Sequence, residues 1–338
     1  MHRNRPATRR LFASVSVIAA VAAAISSIVF TASALAQTTT LRFGHLHSVD
    51  SPVHKGIAKA AEEFQKSTGG RYKVEIYPSS QLGAGREMMK QTMDGSLDFI
   101  IEGPGFMGQL VRPLGIFEAP FIARDWPHVE KMLASPFGQK QFAEMASKHN
   151  MRHVATFYYG VRHFTTRNKA LMKPEDAKGL KLRVPEAPVF LEMVRALGAT
   201  PTPMSLGEVY LSLQTGVVDG QENPLPTINN NKFFEVQKFL NMSGHIVVPL
   251  LVMMNDKAWQ AMNDNDRKAL SSAFVEGAKV NDGMTRELEA RLADEFKAKG
   301  MTIVPTDRVA FAKAMEPLYK KFADVWGADT VESLQALK

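Results

Sequence analysis

The 338-residue sequence contains no cysteine. That absence excludes thiol nucleophiles, disulfide scaffolds and Cys-based zinc or iron–sulfur centres. A chain of this length without covalent staples must be held by its hydrophobic core, and 45% hydrophobic with 22% charged residues is an ordinary globular mixture. Internal repeats and low-complexity linkers are missing, as is any nucleophile elbow, zincin motif or phosphate-binding P-loop. An excess of one charge sign is missing too, once the first 36 residues are set aside. The formal net charge is +7, but those residues hold Arg3, Arg5, Arg9 and Arg10 and no acid. The remainder carries 37 basic against 34 acidic side chains, a net +3. No Arg/Lys run elsewhere offers a nucleic-acid footprint.

What is present begins with a leader. A basic segment, Met1 to Arg10, precedes an uncharged apolar stretch from Leu11, and Ala34-Leu35-Ala36 supplies a small-x-small cleavage pattern. This reads as a signal peptide over residues 1–36, with the mature chain starting near Gln37 in the periplasm. The apolar stretch is also long enough for an uncleaved anchor, and Thr8-Arg9-Arg10-Leu11-Phe12 faintly resembles a twin-arginine signal.

From Thr40 strand and helix patterns alternate. L-R-F-G-H-L reads as a strand, Ser51-Pro52 as a helix start, and Gly69-Gly70 as its end. Tyr72 to Tyr77 alternates as a strand. A helix follows L-G-A-G and stops at Gly95, and Leu97 to Glu102 reads as a buried strand. This order opens a parallel, wound α/β sheet. The second half predicts strands at 153–159 and 162–166 and another at Lys181, stopped by Pro185. Helices are expected at 189–197 and 205–215, the latter with a Ser205/Glu208 capping box. An apolar strand follows at H-I-V-V-P-L-L-V-M-M. A long helix over 264–299, with Gly277 and Gly283 as possible kinks, and a helix over 309–326 complete the chain. The fold class is α/β, with two lobes joined by several crossings and a long helix. Residues 37–159 and 249–288 are assigned to one lobe, and 160–248 and 289–338 to the other.

Chemistry-bearing motifs are few. G-P-G-F-M-G, Gly103 to Gly108, has dinucleotide-site spacing, but Pro104 lies inside it and Pro113 cuts short any helix it could open. It reads better as a ligand-touching loop at a strand's carboxyl end. His45 and His47 share a strand face near His54, yet no further ligand spacing supports a metal; lining a polar cleft or capping a helix suits them better. No acid–base pair or nucleophile supports an enzyme, and no cofactor is implied. In K-G-L-K-L-R-V-P, Leu180, Leu182 and Val184 alternate with Lys181 and Arg183, which on its own makes Arg183 a solvated strand-face charge.

A longer set of motifs changes that reading. L-K-L-R-V-P, then G-A-T-P-T-P-M-S-L-G-E-V-Y-L-S-L-Q-T-G-V-V-D-G-Q-E-N-P, then K-F-F-E-V-Q-K-F-L, together with Y-P-S-S-Q-L-G-A-G-R-E-M, D-G-S-L-D-F and G-V-R-H-F-T-T upstream, resembles the DctP-type solute-binding proteins of TRAP transporters. The resemblance covers nearly the whole mature chain. It implies two α/β lobes that close on a small carboxylate ligand and deliver it to TRAP membrane permease subunits, with no enzymatic turnover and a monomeric state. In that family the arginine of L-R-V-P, here Arg183, pairs bidentately with the ligand carboxylate. Arg162 is a second contact, and Asn223 holds the carboxylate or its arginine. Glu102, His45 and Leu206 complete the candidate ligand-binding set. A planar guanidinium fork suits two carboxylate oxygens as a lysine cannot. Sialic-acid-binding members place an asparagine where this chain has Leu46 and acids where it has Ala84-Gly85. The departure points to a smaller acid: a sugar acid, a hydroxy or keto acid, a dicarboxylate or an aromatic acid. A sensor partner for a membrane receptor shares every one of these features, whereas a secreted hydrolase would need a nucleophile and base that the sequence does not show.

Overall fold

Nine strands form one mixed sheet in a computed structural model that describes residues 38–327 and 329–338; the leader lies outside these residues. They are β1 (Thr39–Gly44), β2 (Tyr72–Tyr77), β3 (Phe99–Glu102), β4 (Met151–Thr166), β5 (Lys181–Val184), β6 (Thr200–Pro203), β7 (Gly220–Pro224), β8 (Phe239–Asn255) and β9 (Thr302–Val304). Their spatial order is β2-β1-β3-β8-β4-β7-β5-β6, with β9 on β8. The wound, parallel character expected from the sequence holds at both ends, where β1 pairs with β3 and β5 pairs with β6 and β7. The middle is antiparallel, through β3–β8, β8–β4 and β4–β7. Two long strands therefore run through both lobes of this α/β fold.

The strands expected separately at 153–159 and 162–166 are one 16-residue strand, β4. The gap expected at Gly160 and Val161 adjoins an irregularity: the ladder with β8 shifts register between Tyr158 and Gly160, and Gly160 has φ +119°. Pro249 of β8 lies opposite Tyr158, at this irregularity, where its missing N–H costs little. Helix α1 (Pro52–Ser67) begins at the Ser51 cap with Pro52 in the first turn, and α2 (Gly85–Asp94) ends at Gly95 with φ +87°, both as the sequence indicated. A single turn, α3 (Pro104–Met107), follows β3 directly. Helices α4 (Trp126–Ala134), α5 (Pro136–His149), α6 (Pro188–Ala196), α7 (Val209–Thr215), α8 (Leu225–Asn230) and α9 (Asp256–Ala261) lead to the long α10 (Asp264–Ala298).

Helix α10 is continuous over 35 residues, so neither Gly277 nor Gly283 breaks it. Gly277 serves close packing instead: a Cβ there would lie 2.4 Å from the Gly56 carbonyl oxygen of α1. The same helix braces the β4 bulge. Glu289 accepts hydrogen bonds from the Val161 N–H (2.7 Å) and the Tyr158 hydroxyl (2.8 Å), and Asn281 donates to the Tyr158 carbonyl (2.7 Å). The final helical run is split into α11 (Arg308–Lys313) and α12 (Glu316–Trp326), with Pro317 in the first turn of α12, before α13 (Thr330–Gln335). Among the described residues no helix is long and apolar enough to cross a membrane.

Candidate ligand-binding site

Strand alternation would place Lys181 and Arg183 together on an outer face, and Lys181 is indeed exposed. Arg183 is not: only 3% of its surface reaches solvent. It lies beside Gln221 of β7 on one side and Thr202 of β6 on the other, and it lines a cavity shared with Glu102, Arg162 and Asn223. Both Nε (3.1 Å) and one terminal nitrogen (2.7 Å) donate to the Met204 carbonyl, which fixes the guanidinium plane. No carboxylate among the described residues forms an ion pair with it. Burial pulls its pKa down to about 10, with Glu222 opposing that shift and the nearby Arg162 cation adding to it. A buried, oriented and unpaired cation is what remains.

Arg162 is buried to the same degree and is fully compensated. It grips Glu222 through two nitrogens, one of them at 2.7 Å, and donates a further bond to the Asn223 side-chain oxygen at 3.2 Å. The cross-strand register explains the grouping, since Arg162 pairs with Pro224 and Phe164 with Glu222 along β4–β7. Behind Glu222, His245 approaches its carboxylate at 3.2 Å and Ser243 backs the other ring nitrogen at 2.8 Å. Asn223 donates to Gln221 (2.6 Å), Gln221 to Thr165 (2.9 Å), and Thr165 to Gln237 (3.1 Å). Phe190 lies under the Arg162 guanidinium at 4.9 Å. The pair of arginines is thus asymmetric: one neutralised by the protein, one open.

Of the sequence-derived candidates, Arg183, Arg162, Asn223, Glu102 and Leu206 all line this cavity. His45 does not. The chain turns after β1 so that the His45 ring is enclosed at 0% exposure, with Nδ1 accepting from the His47 N–H (3.1 Å) and Nε2 facing His54 Nδ1 (3.1 Å). That pattern requires the Nε2–H tautomer, and burial together with the His47 and His54 charges pulls its pKa down to about 2. His47 takes its place in the lining, as do Leu46, Ala84 and Gly85, the positions at which the sequence departs from the sialic-acid pattern. The G-P-G-F-M-G loop contributes Gly103 and Phe106.

The match to family models runs over residues 43–324, to the bacterial extracellular solute-binding protein, family 7. The chain belongs to this family. It is 40% identical over 299 residues to the sialic acid-binding periplasmic protein of Vibrio cholerae, covering 88% of this chain and 93% of that one. It is 30% identical over 334 residues to the C4-dicarboxylate-binding periplasmic protein of Rhodobacter capsulatus, covering 97% and 98%. Among solved structures, a TRAP periplasmic solute-binding protein from Polaromonas bound to D-erythronate superposes with a TM-score of 0.85 at 33% identity, covering 89% of this chain and 99% of the other. This chain is accordingly a TRAP solute-binding protein, a binder of small acids and not an enzyme.

Two acids of this family 7 protein escape a motif-by-motif reading: Glu222, buried behind Arg162, and Glu118, in the cavity lining. Glu222 stands inside D-G-Q-E-N-P, yet its role appears only once β7 is paired with β4. Glu118 ends the 3-10 turn Arg112–Glu118, is 3% exposed, and accepts from the Gly105 N–H at 2.6 Å. Its signal was a lone acid within the otherwise apolar run L-G-I-F-E-A-P-F. Burial pushes the Glu118 pKa up to about 7 against the opposing pull of Arg162. Burial, followed by the neighbouring Glu118 charge, pushes Glu102 up to about 8.

Proposed function

We propose that this protein is a periplasmic receptor that captures a small organic acid by pairing its carboxylate with Arg183, closes its two lobes around it, and hands it to TRAP permease subunits in the membrane. The observation that carries the reading is the Arg183 guanidinium, 3% exposed, its plane oriented by the Met204 carbonyl, and without a carboxylate partner among the described residues. An uncompensated buried charge is costly, and a ligand carboxylate offsets that cost with two parallel hydrogen bonds. Arg162 and Asn223, held by Glu222 and Gln221, form the adjoining wall. Export through the 1–36 leader accords with the periplasmic names of the relatives.

The lobe boundaries at 159/160 and 248/249 fall at the β4 bulge and at Pro249 opposite it, where a strand pair bends with least loss of hydrogen bonds. The ligands named for similar proteins are all small acids: D-erythronate, β-D-glucuronate, L-galactonate, C4-dicarboxylates and sialic acid. Leu46, Ala84 and Gly85 in the lining favour the smaller of these. Calorimetric titration of D-erythronate or D-galactonate against the corresponding amide tests the reading. The acid should bind at least about thirtyfold tighter, the equivalent of roughly 2 kcal/mol. Equal affinity for acid and amide would refute the carboxylate pairing.

A further inference from the structure

The cavity wall contributed by β3 and the segment after it carries two carboxyl groups and no cation of its own. Glu102 closes β3 and Glu118 closes the 3-10 turn, and both line the same cavity as the arginines. The backbone around them is shaped to admit their oxygens. A Cβ on Gly85 would lie 2.7 Å from Glu102 Oε1, one on Gly103 2.6 Å from Glu118 Oε1, and one on Gly105 2.7 Å from Glu118 Oε2. Any side chain at these three positions would push a carboxyl out of place. Glu102 Oε1 is nevertheless buried without a hydrogen-bond partner among the described residues. An orphaned buried acceptor is unfavourable unless something supplies a donor.

We propose that Glu102 and Glu118 are the acceptor site for the ligand's hydroxyl groups and select a polyhydroxylated monocarboxylate, a sugar acid, over a dicarboxylate of the same length. The inference rests on the Arg183–carboxylate reading, which fixes one end of the ligand and leaves the other for this wall. A hydroxyl brings the O–H that Glu102 Oε1 lacks and can accept in turn from a protonated carboxyl. A second carboxylate has no O–H or N–H to give, so it leaves Glu102 Oε1 orphaned, and its charge meets like charge whenever either acid ionises. An ammonium would meet the same oxygens, but it favours ionised carboxylates, whereas burial holds both groups toward their protonated forms near neutral pH.

The test is calorimetric titration of the mature protein with matched four- and six-carbon acids: D-erythronate, succinate, butyrate and 4-aminobutyrate, then D-galactonate, adipate and hexanoate. In at least one series the hydroxy acid should bind roughly tenfold or more tighter than every other member. Glu118→Ala should shrink that preference by about tenfold. Glu118→Gln, which keeps an acceptor oxygen but cannot ionise, should retain part of the hydroxyl preference while dicarboxylate affinity rises. Melting curves without ligand show whether each variant is folded. A dicarboxylate or 4-aminobutyrate binding as tightly as the hydroxy acid, an unchanged preference in both variants, or no binding of either hydroxy acid at millimolar concentration would overturn the proposal. The amide of each hydroxy acid separates the two readings. An amide equal to its acid sinks the arginine pairing, whereas an acid that beats its amide but not the dicarboxylate sinks only the present inference.

Discussion

Replacing Glu222 by alanine should expose how much the arginine pair depends on its single internal counter-ion. Glu222 is 0% exposed and Arg162 3%, so neither charge can turn to water when the other is lost. The substitution removes a two-pronged grip by Arg162 and the contact from His245 at 3.2 Å. It also leaves two uncompensated guanidiniums in one cavity, because Arg183 has no ion-pair partner to share. Breaking a buried pair from one side costs about 3–5 kcal/mol. At roughly 2–4 °C per kcal/mol for a domain of about 150–250 residues, the unliganded protein should melt about 6–20 °C lower. Glu222→Gln keeps an acceptor for one Arg162 nitrogen and should lose about half as much. Because the alanine variant carries an unmet need for anions, sulfate should recover more of its melting temperature than it adds to the parent. Circular dichroism melts with sulfate or with matched chloride measure all three quantities. A Glu222→Ala melting temperature within about 2 °C of the parent, or equal losses for alanine and glutamine, would refute the argument that charge compensation is at stake.

Two further outcomes follow from buried groups and close packing. Stability of the unliganded protein should peak near pH 6.5. Burial depresses His45 to about 2, His47 to about 4 and His163 to about 3 in the folded chain, so their contribution is present above the unfolded histidine value and is lost as pH falls. Glu102 and Glu118 are raised, so theirs is present at low pH and is lost as pH climbs through about 7 to 8. A melting temperature that rises steadily from pH 6 to pH 8, or an alkaline decline unchanged in Glu118→Gln, would contradict this assignment. Gly277→Ala should destabilise by about 1–3 kcal/mol, since its Cβ would meet the Gly56 carbonyl at 2.4 Å, while Gly283→Ala, with open space around it, should be neutral or mildly stabilising. Chemical denaturation of the two variants compares them directly.

Local signals in the sequence were strong where chemistry is local. Ser51-Pro52 and Gly95 mark their helix ends because capping geometry needs only the residues beside it. The strand at 181–184 was legible from its alternation, but the burial of Arg183 was not, since Lys181 one step earlier on the same face is exposed. Only the family motif raised Arg183 above a surface charge. The packing role of Gly277 was not legible because it depends on Gly56, more than 200 residues away in sequence. Gly160-Val161 falls between two expected strands because a bulge in a long strand and a break between short ones look alike without the partner strand. Glu118 and Glu222 required the packed structure, for a carboxylate announces its partner only when the chain has folded. His45 failed for the complementary reason: two residues of one alternation face can part company as soon as the strand ends, and here His47 reaches the cavity while His45 turns to His54.

Capture of the ligand carboxylate depends on Arg183. Calorimetric titration of one hydroxy acid that binds the parent into Arg183→Ala and Arg183→Lys tests it most directly, with melting curves showing that both variants fold. Loss of a buried, hydrogen-bonded charge partner costs on the order of 2–5 kcal/mol, so Arg183→Ala should bind roughly 30- to 5,000-fold more weakly. Lysine keeps the charge but loses the planar fork that the Met204 carbonyl orients, so most of the loss should persist in Arg183→Lys. An alanine variant that binds within about threefold of the parent would mean that Arg183 does not hold the ligand.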